Sequence, residues 1–268
     1  MKRNRQRGFS MLEIVVVIAI VMIVMAVVFG QMWLFQKTAR REQTKIDLTQ
    51  ESRAFLDQIV RDLHQAGYPN GSMYGSGVLN ATPQNDSRYA SGLVKFSYTD
   101  LWFEGDVDDD GQVESVRYTL QADANGNCPC TIARSVVVKL NNTAPMSQAT
   151  NYSTSLENVV NSAGSGGTGT NGSLTITGNS MVRNASGSMV STSNDSLYSA
   201  YEGAYLFVAY DASGNTVSPT DIATNPTALA SIRTIQITLN VLASSSAYDL
   251  QNNYRPAVSM TAAARLYN

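Results

Sequence analysis

Between Glu13 and Lys37 the chain carries no ionisable side chain, and from Phe9 to Phe35 it is apolar almost throughout. A run of that length constrains the fold more than any other feature. Spanning a bilayer takes ~20 apolar residues, so this segment is a membrane anchor by length. It is too long for the apolar core of a secretory signal peptide, and no small-x-small cleavage site follows it. Lys2, Arg3, Arg5 and Arg7 precede the run without an acidic neighbour. They predict a cytoplasmic leader, with the bulk of the chain on the far side of the membrane. Glu13 does not fit a plain anchor. A carboxylate in hydrocarbon costs at least ~2.5–3.5 kcal/mol and calls for a partner.

A cut between Gly8 and Phe9 supplies one. The new amino group at Phe9 is a cation at the end of an apolar helix, one turn from Glu13. In a staggered array of such helices, the amino group of one copy neutralises the Glu13 of its neighbour. The stretch RGFSMLEIVV, with Gly8, Phe9 and Glu13 in these positions ahead of an unbroken apolar run, resembles the type IV prepilin family. The resemblance implies cleavage after Gly8 and methylation of Phe9 by the prepilin peptidase. It also implies storage as a single-pass inner-membrane protein with a periplasmic head. Assembly with other pilins on the pilus assembly platform, through the apolar helix and the Glu13 pair, then carries the protein to the pilus or cell surface.

Beyond the anchor the helical pattern continues. No Pro or Gly occurs between Gln36 and Gly67, and Leu48, Phe55, Leu56, Ile59, Val60 and Leu63 recur at helical spacing. The charged residues Arg40, Arg41, Glu42, Glu51, Arg53, Asp57, Arg61 and Asp62 are expected on the other faces. Gly67 and Pro69 end the helix, giving one helix from Phe9 to Ala66, roughly 87 Å at 1.5 Å per residue. His64, the only histidine, is expected at a surface or interface. Alternating segments then predict strands at 94–105, 113–122, 131–140, 204–217, 232–242 and 257–267. The fold class is α+β: a pilin-like long helix packed on an antiparallel sheet. The expected divisions are a leader (1–8), an assembly half of the helix (9–36), an amphipathic half (37–67) and a β-rich head (68–268). Within the head, the Ser/Thr/Asn/Gly-rich stretch 141–200 is expected to form long loops with a few edge strands, SLTIT at 173–177 among them.

The head most resembles minor pilins of the PilW type, through GDVDDDGQVESVRYTL, YDASGN and SIRTIQITLNV ahead of a last strand ending ARLYN. Two small sites stand out in it. In GDVDDDGQVE, Asp106, Asp108 and Asp110 with Gly111 follow the opening of a calcium loop, to which Gln112 and Glu114 would add oxygens. Arg117 occupies the position at which such a loop normally ends in Glu. A calcium site and a plain hairpin tip are both open readings. Cys128 and Cys130 are the only cysteines. Their spacing leaves little room for a disulfide, yet an oxidising periplasm permits one.

Nothing in the sequence makes an enzyme: there is no nucleophile motif, no phosphate loop and no second histidine. With a formal net charge of −2, direct nucleic-acid binding is not expected. The sequence predicts a minor type IV pilin that primes assembly or sits at the filament tip. A type II secretion pseudopilin is the sister reading. A membrane-anchored, calcium-dependent adhesin or binding module that never polymerises is the reading from another class, and it has no use for Glu13.

Overall fold

The computed structural model describes residues 10–121, 130–161, 181–183, 189–191, 205–244 and 256–266. The chain divides into two compact units, residues 1–44 and 45–268. Helix α1 runs Met11–His64. In the first unit its residues from Met11 to Phe35 are exposed. Thr38 and Thr44 donate their hydroxyls to the carbonyls of Leu34 and Arg40, one turn back.

In the second unit the stripe of Leu48, Ser52, Phe55, Leu56, Ile59, Asp62 and Leu63 is buried. The apolar members are those the spacing predicts, with Val60 packed at their edge. Asp62 departs from expectation. Predicted on a solvent face, it is 4% exposed. The helix ends where Gly67, at φ 86°, turns the chain and donates its N–H to the carbonyl of Glu104. Gly105 lies directly beneath, and a Cβ there would come within 2.3 Å of the Gln65 carbonyl oxygen. Only glycine permits this approach.

The sheet is built from β1 (Gly92–Phe96), β2 (Asp100–Gly105), β3 (Glu114–Gln121), β4 (Cys130–Val138), β5 (Tyr152–Val159), β8 (Phe207–Asp211), β9 (Thr216–Val217), β10 (Thr220–Asp221), β11 (Ile232–Leu242) and β12 (Ala257–Arg265). Its order is β10-β1-β2-β3-β4-β5-β11-β8-β9, with β12 paired to β11, and every described pair is antiparallel. β6 (Met181–Arg183) and β7 (Met189–Ser191) form a separate two-stranded ladder. The six-residue helix α2 (Pro226–Ser231) begins at Asn225, whose side chain accepts the N–H of Ala228. This is the α+β architecture of a long helix and an antiparallel sheet.

Two expectations change. The segment 94–105 is not one strand: Ser97 to Thr99 turn between β1 and β2, and the Ser97 hydroxyl accepts the N–H groups of Thr99 and Asp100. Within 141–200, β5 is a full strand between β4 and β11 rather than a loop or edge. Its Leu156 and Val159 are buried although its flanks are Ser, Thr and Asn. SLTIT at 173–177 lies outside the described residues.

The helix covers one face of the sheet. Leu101, Phe103, Val116, Tyr118, Leu120 and Ile132 join the helix stripe in one core, and Phe55 meets Tyr118 edge-on at 5.9 Å. The opposite face of β2 and β3 carries Asp100, Trp102, Glu104, Ser115 and Arg117. It is also largely buried, which explains why every residue of β2 is inaccessible. Segments 68–91 and 139–151 reach each other alongside it: the Lys139 ammonium donates to the Tyr89 carbonyl, and Asn142 N–H to the carbonyl of Asn85.

Candidate functional site

Two sequence-predicted sites are described by the structure. The first is the start of α1. Glu13 lies in its first described turn, where Ile14 N–H already bonds the Ser10 carbonyl at 3.2 Å. A carboxylate there is favoured by the positive end of the helix dipole, worth ~0.3–1 kcal/mol at an exposed position. That offsets only part of its cost in lipid. The helix is long and apolar enough to cross a membrane, and its most apolar window has no buried residue. Gly8 and Phe9 lie outside the described residues.

The second is the connection from β2 to β3. Asp106 is buried, and its two carboxylate oxygens accept the N–H groups of Asp110 and Gly111 at 3.1 and 3.0 Å. Asp109 and Gly111 take positive φ, 61° and 85°, which closes the turn tightly. Glu114 begins β3 on the face that α1 covers, and is 3% exposed. Its Oε2 accepts Val107 N–H at 3.0 Å.

Carboxylate oxygens of Asp106, Asp108 and Glu114 lie within 4.8 Å of one another. Asp110, expected to join them, is turned to Gln112. Asp110 accepts both the backbone N–H and the side-chain amide of Gln112 at 2.8 Å. Arg117, at the position where such a loop normally ends in Glu, is held by Asp100 through bonds of 2.8 and 2.6 Å. The carboxylates that converge are therefore these three, with the Arg117 guanidinium engaged elsewhere. Burial, with Asp108, Asp110 and Asp106 close by, pushes the Glu114 carboxyl up to about 7 against the pull of the Val107 N–H. Three carboxylates so placed can hold a hard cation, with backbone oxygens and water completing its shell. Cys130 is buried and disulfide-bonded; Cys128 lies outside the described residues.

The polar centres that organise the head were not visible in the sequence. Asp62 Oδ2 accepts the Tyr118 hydroxyl at 2.6 Å and the Arg134 guanidinium at 2.7 and 3.0 Å. The helix is thus bolted to β3 and β4 through its one buried charge. On the opposite face Lys139 and Glu104, both with side chains 0% exposed, pair at 2.7 Å. Burial pushes the Lys139 ammonium down against the pull of Glu104. Burial alone would raise Asp100, but Arg117 and Lys95 outweigh it and hold the carboxyl below its usual range. These partners lie up to 72 positions apart, so no local spacing announces them. A faint signal existed for one of them: Asp62 falls at a helical offset that places it beside Ile59 and Leu63.

The chain matches the family described as the prokaryotic N-terminal methylation motif over residues 3–29. No curated protein and no solved structure matches it. The leader and apolar helix are thus similar to those of type IV pilin-like proteins, a class that includes pseudopilins. The match points to membrane anchoring, to partnership with other pilins and the prepilin peptidase, and to a structural role.

Proposed function

We propose that the protein is a minor type IV pilin, cut between Gly8 and Phe9 and assembled through α1, which primes a filament or sits at its tip. The observation that carries this is Glu13, the single charge in a helix otherwise apolar and exposed from Met11 to Phe35. In an anchor that stays solitary, the helix dipole offsets only part of the cost of that charge in lipid. A helix that packs beside copies of its kind gains a partner for a new amino terminus. The size of the head supports a tip position over a packed shaft, because it exceeds the ~100–150-residue mode of single domains. The PilW-type likeness rests on head segments beyond the matched residues 3–29.

The test is Glu13→Leu scored against wild type in the same cells. Membrane insertion and a mature terminus at Phe9, read by mass spectrometry, should persist, while filament number falls. Unchanged filaments would refute the pairing role. Lost cleavage would make Glu13 a determinant of the peptidase instead.

A second proposal concerns the acidic turn: Asp106, Asp108 and Glu114 bind calcium at the millimolar levels outside the cell. Its support is the convergence of three carboxylates, two of them buried. Calorimetry on the full chain in detergent should show heat with calcium that Asp108→Ala abolishes and Asp110→Ala weakens only slightly. No heat at millimolar calcium leaves a plain turn.

A further inference from the structure

Among the described residues the sheet ends at β12 in an edge of a particular kind. Antiparallel residues direct N–H and C=O to the same side of the strand, alternating along it. Thr238 N–H bonds the Leu206 carbonyl at 2.9 Å and the Asn240 carbonyl accepts Val160 N–H at 2.9 Å, so the even-numbered residues of β11 face β8 and β5. Their partners across the ladder are Ala257, Ser259, Thr261, Ala263 and Arg265. The backbone groups of those five residues therefore point away from β11, out of the sheet. The flanking bonds agree: Ala243 N–H to the Pro256 carbonyl, and Leu266 N–H to the carbonyl of Arg233. Among the described residues no strand pairs with β12 on that side.

Such an edge is a template for another strand, and proteins usually blunt it with Lys, Pro, a bulge or brevity. The strands at the ends of the path, β9 and β10, are two residues each, with Pro219 between them. β12 has little of this protection, its one charge being Arg265 at its end. Its register with β11 runs without a shift over nine pairs, and it contains neither Lys nor Pro. Ser259, Thr261 and Ala263 are small and exposed, so a second backbone can approach. On the other side of the strand Val258, Met260 and Ala262 pack on the core only partly, and an added strand would finish covering them.

The geometry points to β12 as the acceptor of an extended segment from a different, neighbouring pilin, which adds a strand to the sheet. This rests on the pilin reading above, which supplies the class of partner. A second copy paired to β12 about a two-fold axis does not fit that class. The axis would stand perpendicular to the sheet, and the Lys45–His64 segments, which lie along it from Leu48 to Leu63, would run in opposite directions. Pilins in one membrane carry their helices in one direction. The donor segment offers apolar side chains above Val258, Met260 and Ala262, small ones above Ser259, Thr261 and Ala263, and an acid opposite Arg265.

The test is amide hydrogen exchange, resolved by residue, on the full chain in detergent micelles and in filaments sheared from cells that make it. In micelles the amides of Ser259, Thr261 and Ala263 should exchange fast and those of Met260 and Ala262 slowly. In filaments the first three should slow by about 100-fold or more, as amides newly locked in a ladder do. Thr261→Pro removes an outward N–H and no bond to β11. Thr261→Lys places a charge where the donor must lie. Both variants should be cleaved and melt as wild type does, and should enter filaments at a tenth of its level or less. Three results would overturn the proposal: outward amides still fast in filaments that contain the protein, both variants entering normally, or outward amides already slow in micelles, which would mean that the chain covers its own edge. If wild-type protein is never found in filaments, the pilin reading falls and this one falls with it.

Discussion

The two halves of α1 treat their apolar residues in opposite ways. Ile18 is 49% exposed and Ile59 is 0% exposed, although both are isoleucines in the same helix. The half with more apolar residues, Met11 to Phe35, buries none of them. The half that is mostly polar buries Leu48, Phe55, Leu56, Ile59 and Leu63 against the sheet. Burial within one chain therefore measures which solvent a segment was built for. The amphipathic half withdraws its stripe from water. The apolar half has no such stripe because its surroundings are apolar on all sides, as lipid or neighbouring helices are. The charges differ in the same way. Asp62 has its partners in its own chain, at 2.6 to 3.0 Å, whereas the proposed partner of Glu13 lies in another.

The largest expected effect breaks this contrast at matched residues. Ile59→Ala should cost the head ~2–5 kcal/mol, the range for removing a fully buried aliphatic side chain. Ile18→Ala should leave unfolding of the head unchanged, since Ile18 packs on nothing there. Thermal unfolding of the full chain in detergent, followed by the near-ultraviolet signal of the head aromatics, reads both. Equal effects would mean that the two halves are not separate in function.

Next in size is Asp62→Asn. It keeps the shape of the clamp but deprives Arg134 of its carboxylate. Hydrogen bonds to a charged group are worth ~1.5–3 kcal/mol, and Arg134 is partly exposed, so the loss should sit near the lower end. Assembly of a correctly folded fraction should be unaffected, which separates Asp62 from Glu13.

The smallest effect concerns pH. Burial raises the Glu114 carboxyl from 4.5 to about 7, so between those values the folded chain binds a proton that the unfolded chain has released. Stability from this group is therefore greatest at low pH and declines as pH rises from about 4.5 through 7. Unfolding midpoints at pH 5.5 and 8, compared between wild type and Glu114→Gln, isolate it: the variant should show the smaller drop. A bound calcium ion would favour the carboxylate and reduce the wild-type drop at pH 8.

Much of this protein is legible in the sequence where its signals are local. The apolar run, the Gly8-Phe9-Glu13 spacing and the helical stripe each lie within a few turns of chain. β11 was expected at 232–242 and is found there, because its alternation is strong and uninterrupted. β5 was not expected as a full strand. Its Ser, Thr and Asn residues resemble the loop sequence around them, and its place between β4 and β11 comes from partners distant in sequence. In the acidic turn the composition was readable but the membership was not. Backbone turns at Asp109 and Gly111 bring Asp106, Asp108 and Glu114 together, while Asp110 turns to Gln112 and Arg117 leaves for Asp100.

By itself the sequence determined that the chain has an anchor, that the anchor carries a charge needing a partner, and that a helix and strands follow. Those are consequences of hydrophobic period and of the cost of a charge in hydrocarbon, both of which act over neighbouring residues. Tertiary structure alone decided which charges are buried, which strand stands at the edge among the described residues, and which carboxylates meet. These depend on strand order and on pairs such as Asp62 with Arg134 or Glu104 with Lys139. Such pairs form because chain closure brings distant residues into one dry space, where an unpaired charge would cost too much to remain.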